Sequence, residues 1–156
     1  MKAIHSMIAA AAFACVQAAP ASAATTDPEV IIYRFTGVIN NTAVAGGAVT
    51  VFHCTNFSGA METLRFVTRN LDGTLVGNTT TTMNHLVTVT ASTDITLAYL
   101  EGVILATGLV AQGTTAIAAT SINITCAAMT IDKVNPVPIG VALRGIRFSP
   151  VPGSQE

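Results

Sequence analysis

Tryptophan is absent from the 156 residues, aromatic side chains make up 5% and charged side chains 10%. Globular domains carry about 25% charged residues, so this chain keeps its surface wet with threonine hydroxyls instead. Seven Lys and Arg stand against eight Asp and Glu, and no block of one sign occurs. Without a basic stripe to neutralise phosphates, nucleic acid and anionic membranes are poor partners. Histidine is scarce, and no HxH or CxxC spacing exists, so a zinc site would need scattered ligands and no metal or cofactor is expected. Ser58-Gly59 lacks the Gly-x-Ser-x-Gly turn that exposes a serine nucleophile. The segment 102–113 has no lysine-bearing phosphate loop.

A long uninterrupted apolar run is also missing from the body of the chain. The stretch 97–119 comes nearest, but Glu101, Gln112 and the glycines at 102, 108 and 113 break it, so no transmembrane segment is expected.

What is present starts at the N-terminus. Lys2 precedes the run Met7-Ile8-Ala9-Ala10-Ala11-Ala12-Phe13-Ala14-Cys15-Val16, long enough for a signal peptide and too short to span a bilayer. Pro20 ends any helix, and Ala21-Ser22-Ala23 offers the small residues a signal peptidase needs. Residues 1–23 are therefore expected to be a signal peptide, leaving 156 − 23 = 133 residues in a periplasmic or secreted protein. The alternative is a lipoprotein signal in Ala12-Phe13-Ala14-Cys15, with Cys15 as the lipid anchor. Without Lys2 the formal charge is 6 − 8 = −2. A chain of this size holds one domain, 24–156, with 149–156 (Pro150, Pro152 and Gly153 among them) as a flexible tail.

The mature sequence reads as all-β. Short runs rich in Val, Ile, Thr and Phe, bounded by Gly, Asn, Asp or Pro, predict strands at 30–36, 48–55, 62–70, 74–81, 85–91, 95–100, 103–107, 114–129 (continuous or broken) and 139–148. Asp72-Gly73 between two β-prone runs predicts a hairpin, because glycine supplies the positive φ of a tight turn. Leu64 and Phe66 fall on one face of the incoming strand, and Thr63, Arg65 and Arg69 on the other. Half-buried strands in this number point to a single immunoglobulin-like β-sandwich, with a closed barrel as the second option.

Cleavage after Ala23 leaves two cysteines, Cys54 and Cys126, in a compartment that oxidises thiols, which predicts a disulfide; two buried free thiols are the alternative. Each sits late in a predicted strand, 126 − 54 = 72 positions apart, a spacing by which an immunoglobulin-like sandwich pins its two sheets together. Closing such a loop stabilises a fold by roughly 4 kcal/mol on the chain-entropy argument.

The segments Gly47-Ala48-Val49-Thr50-Val51-Phe52-His53-Cys54-Thr55-Asn56 and Thr63-Leu64-Arg65-Phe66-Val67-Thr68-Arg69-Asn70-Leu71-Asp72-Gly73, with Ile122-Asn123-Ile124-Thr125-Cys126, resemble small uncharacterised exported proteins of bacteria. The resemblance implies export and a two-cysteine β-sandwich, and brings no activity with it.

Candidate chemistry is sparse. His53 and Cys54 are neighbours on a strand and point to opposite faces, so they cannot act as base and nucleophile. The sequon matches at Asn40, Asn56, Asn78 and Asn123 are what chance gives in a threonine-rich chain. Arg65 and Arg69 on one outward face, with Arg144 and Arg147, admit an anion-binding patch, against the plainer reading of a solvated sheet face. The sequence thus points away from an enzyme and toward a binding or structural module with a protein or glycan partner. Two alternatives stay open: a pilus-like subunit assembling through a donated strand at 30–38, and a small hydrolase built on His85 with Asp94 or Glu101.

Overall fold

In the structure, a computed structural model that describes residues 29–41 and 46–148, the all-β expectation holds and the described residues contain no helix. The expected signal segment 1–23 with Cys15, and the tail 149–156, lie outside the described residues. Ten strands are formed: β1 (Val30–Asn40), β2 (Ala48–Asn56), β3 (Glu62–Asn70), β4 (Leu75–Met83), β5 (Thr88–Ser92), β6 (Val103–Ile104), β7 (Val110–Ala119), β8 (Ile124–Asp132), β9 (Gly140–Leu143) and β10 (Gly145–Arg147).

They belong to one hydrogen-bonded sheet that curls nearly shut, like a barrel. Antiparallel pairing runs from β4 through β3 and β7 to β1. The other edge of β1 takes β10, and β9, one residue upstream, pairs with β8. Strand β8 lies along the whole of β2, whose far edge holds β5, and β5 holds β6 in parallel. A direct bridge, Asn40 to Val49, also joins β1 to β2. The chain just past β6 comes close to the other outer strand, β4, without pairing: a Cβ added at Gly77 would sit 3.1 Å from the Thr107 methyl and 3.4 Å from the Leu105 carbonyl oxygen. The curl has a local cause. The β1–β7 register shifts at three places along β1, and such bulges bend and over-twist a strand, carrying its end round to β2.

The disulfide corrects the sequence reading. Cys54 and Cys126 are bonded, but they are opposite partners in the β2–β8 ladder. The bridge ties two neighbouring strands of one sheet and does not pin two stacked sheets, so the immunoglobulin-like arrangement of the cysteines is absent.

Inward side chains from both halves of the curl form the main core, including Ile32, Phe35, Phe52, Leu64, Phe66 and Ile117. Phe52 of β2 meets Phe35 edge-on at 5.6 Å and Phe66 at 5.8 Å, so aromatic contacts cross the barrel's centre. Strand β2 is buried on both faces. Its outward Val49 and Val51 form a second cluster with Ile131, covered by Ala98, Tyr99 and Met129.

That cover is the segment expected as a strand at 95–100. Three of its backbone N–H groups go to side chains instead of a ladder: Ile95 donates to Asp94 Oδ1, Thr96 to Glu101 Oε1 and Tyr99 to Thr96 Oγ1. Leu97 donates to the Lys133 carbonyl, just past the end of β8. Such local bonds compete with strand pairing. The run 114–129 is likewise two strands, β7 and β8, parted at 120–123. The Asp72-Gly73 hairpin forms between β3 and β4. Only Gly73 takes positive φ (+84°), its N–H donating to the Asn70 carbonyl at 2.9 Å. This is the turn-plus-bulge form of hairpin, and the register shift at Thr68/Arg69 marks the bulge.

Candidate anion-binding face

Alternation along β3 places Arg65, Val67 and Arg69 outward, opposite Leu64, Phe66 and Thr68 in the core. On β7 the outward residues paired with them are Ala118, Ala116 and Thr114. All three are small, so the sheet surface sinks into a trough along β7. Across the trough Arg34 of β1 stands opposite Ala116, and Asn78 of β4 stands opposite Val67 on the far side. The result is a cleft of about 310 Å³ into which Arg34, Arg65, Arg69 and Asn78 all reach.

The three guanidinium groups are held differently. Arg65 Nε pairs with Glu29 Oε2 at 2.6 Å. Arg69 donates to the Gly73 carbonyl at 2.9 Å, which fixes it to the hairpin turn. Arg34 lies over the Phe148 ring, 5.6 Å from its centre, a cation–π arrangement. Three cations against one carboxylate leave the face positive. Arg65 and Arg69, four residues apart on one strand, are about 13 Å apart along it, and Arg34 lies two strands over, about 10 Å across. This spacing suits an extended anion with several charges better than a single small one.

Arg65 and Arg69 thus share one outward face, as alternation along the strand predicts, and Arg34 joins them. Arg144 and Arg147 do not. Arg147 stands opposite Tyr33, one residue out of phase with Arg34; its guanidinium packs on the Tyr33 ring and donates to the Ile122 carbonyl. Arg144 is exposed between β9 and β10.

The remaining candidates are dispersed. His53 and Cys54 point to opposite faces, Cys54 into the core and His53 under the 93–102 segment, edge-on to Tyr99 at 4.7 Å. Burial lowers the His53 pKa, and its Nδ1 is hydrogen-bonded to Thr90 Oγ1 at 3.1 Å. His85 precedes β5 and Asp94 and Glu101 follow it, so the hydrolase pairing is split between the two ends of that strand. His85 Nδ1 accepts from the Gly59 N–H, Asp94 pairs with Lys133 at 3.0 Å, and Glu101 is engaged by Thr96. Among the described residues no group of three or more His, Cys, Asp or Glu could hold a metal ion. Asn40 and Asn56, two of the sequon asparagines, are buried and spend their amides on backbone carbonyls. The proposed donor strand at 30–38 is β1, flanked by β7 on one side and β10 on the other. It lies within the sheet and is not free to be donated.

No family model, curated protein or solved structure matches the chain.

Proposed function

We propose that the chain is an exported, non-catalytic binding module whose β4-β3-β7-β1 face takes an acidic oligosaccharide. The observation that carries this reading is the convergence of Arg34, Arg65 and Arg69 on one cleft floored by Ala116 and Ala118. Arginine forks match carboxylates in planar, two-point contacts. Asn78 and Thr114 on the same cleft offer partners for sugar hydroxyls, and the flat alanine floor admits the ring. Export through the 1–23 segment would place the face where such glycans occur. The test is calorimetric titration with a polyuronate oligosaccharide and a neutral one of equal length. Binding of the uronate alone, weakened by salt and by Arg34→Ala or Arg69→Ala, supports the reading; equal binding of both, or of neither, removes it.

A second reading, surface assembly, rests on β4. This nine-residue strand has no charge and no proline and pairs on one side only among the described residues. Sheet edges are normally guarded by charges and prolines, and beyond Gly77, where the 105–107 segment comes close, this edge has neither; such an edge templates pairing with another chain. Elution as a monomer at all concentrations on size exclusion would remove this reading.

A further inference from the structure

One end of the barrel carries three loops: 57–61 between β2 and β3, 84–87 between β4 and β5, and 120–123 between β7 and β8. They hold five exposed large apolar side chains, Phe57 (53%), Met61 (66%), Leu86 (65%), Val87 (43%) and Ile122 (42%). None of the three loops contains Asp, Glu, Lys or Arg. His85 is their one titratable group, and Glu62 and Arg147, one of each sign, stand at their base.

Apolar tips alone would say little. Much of the backbone behind them, and all of it from residue 57 to 60 on the donor side, is satisfied inside the protein. Every N–H from residue 57 to 60 has an internal acceptor: the Asn123 carbonyl, Asn56 Oδ1, His85 Nδ1 and Ser58 Oγ in turn. The Leu86 N–H goes to the Asn56 carbonyl and the Val87 N–H to that of Asn84. The Ala60 carbonyl takes the Asn56 amide. Loops in water have no need of this, since water serves their polar groups. In hydrocarbon an unsatisfied group costs several kcal/mol, so a loop that enters it must be satisfied internally.

Leu86 adds an independent sign. It holds φ at +61°, a left-handed conformation that costs a leucine about 1–2 kcal/mol and that Asn or Gly adopts readily. A bulky apolar side chain is thus kept, against local preference, at a position where it faces outward. The other exposed apolar loop, 93–102, also has most of its donors satisfied internally, but Asp94 and Glu101 bracket its apolar residues and it lies flat over β2.

We propose that this end of the protein inserts its loop tips into the interfacial region of an electrically neutral lipid bilayer. Neutral loops match a zwitterionic headgroup layer without needing anionic lipid. The donors of 57–60, Leu86 and Val87 are already satisfied without water, and the side chains on three separate loops enter the acyl boundary together.

The test is co-sedimentation of the whole mature protein with phosphatidylcholine vesicles. The wild type is expected to partition with the vesicles at all salt concentrations. Phe57→Ser and Leu86→Asn are each expected to lower the partition coefficient at least about tenfold, as removal of one buried large apolar side chain requires. Leu86→Asn relieves the backbone strain, so its melting temperature should not fall, which separates lost binding from lost folding. Ile95→Ser, on the other loop, should partition like the wild type. Partitioning that needs anionic lipid and disappears with salt would overturn the proposal, because it would locate membrane contact at the arginine face. Self-association through these loops, abolished by the same variants and without vesicle binding, would overturn it as well, in favour of a second copy as the partner.

Discussion

Cys54 and Cys126 face each other directly across the β2–β8 ladder, their Cα atoms 4.1 Å apart. Antiparallel strands bring such close pairs together where the two residues exchange no backbone hydrogen bonds. The bridge therefore closes a loop of 72 residues while locking strands that also pair through their backbones.

Two consequences follow for the Cys54→Ala, Cys126→Ala protein. Loss of the loop constraint should cost about 4 kcal/mol, a fall of the order of 10–15 °C in melting temperature. The ladder persists, so the far-UV circular dichroism below the transition should match the oxidised protein. Melting curves with and without reductant check both points. A reduced protein without strand signal at low temperature would mean that the bridge is needed for folding itself.

Thr68 and Thr115 form a buried hydroxyl pair at 2.9 Å across β3 and β7. Replacing either alone by valine strands the other hydroxyl in the core and should cost about 1–3 kcal/mol. Replacing both removes donor and acceptor together and should cost much less than the two single changes summed. Denaturant titrations of the four proteins in the cycle measure the coupling.

Gly113 packs where β7 passes the hairpin end of β3. A Cβ there would strike the Arg69 carbonyl oxygen and lie 2.8 Å from Val110 Cγ1. The obstacle is partly backbone, so the neighbour cannot step aside cheaply. Gly113→Ala is expected to destabilise by about 1–3 kcal/mol and to perturb the arginine face through Arg69, whereas Gly59→Ala, where nothing lies within 4 Å, tests the cost of positive φ alone. Thermal melts of the two variants compare these causes.

Burial holds the His53 imidazole below its ordinary value of 6.5. The unfolded chain therefore takes up the proton first as pH falls. Stability contributed by this group is fully present above about pH 6.5 and is lost as pH drops through that value toward the lower folded one. Denaturant midpoints above and below pH 6.5 should show the loss, and His53→Gln, which retains a partner for Thr90, should show less of it.

Much of the fold was legible because alternation and turn residues act locally. Leu64 and Phe66 against Arg65 and Arg69 marked β3, and Asp72-Gly73 marked its hairpin. The segment 95–100 was misread for an equally physical reason. Its composition favours a strand, but Asp94, Glu101 and Thr96 capture the N–H groups of Ile95, Thr96 and Tyr99, which a ladder would need. The bond between the cysteines could be read from compartment and number; its position within one sheet could not, since that depends on which strands become neighbours. The same holds for the site. Arg65 and Arg69 were found on one face by counting residues, whereas Arg34 reaches them only because β7 lies between β1 and β3. Alternation along β1, with Ile32 and Phe35 buried on either side of an exposed Arg34, was the available signal, and it carried no information about the neighbour.

The central claim, that the arginine-rimmed trough over β7 is a ligand face, is tested most directly by amide chemical-shift mapping during titration with a polyuronate oligosaccharide. The account predicts shifts confined to residues around Arg34, Arg65, Val67, Arg69 and Ala116, abolished by Ala116→Glu, which sets a carboxylate among the guanidinium groups. Shifts centred elsewhere, or undiminished by that substitution, would contradict it.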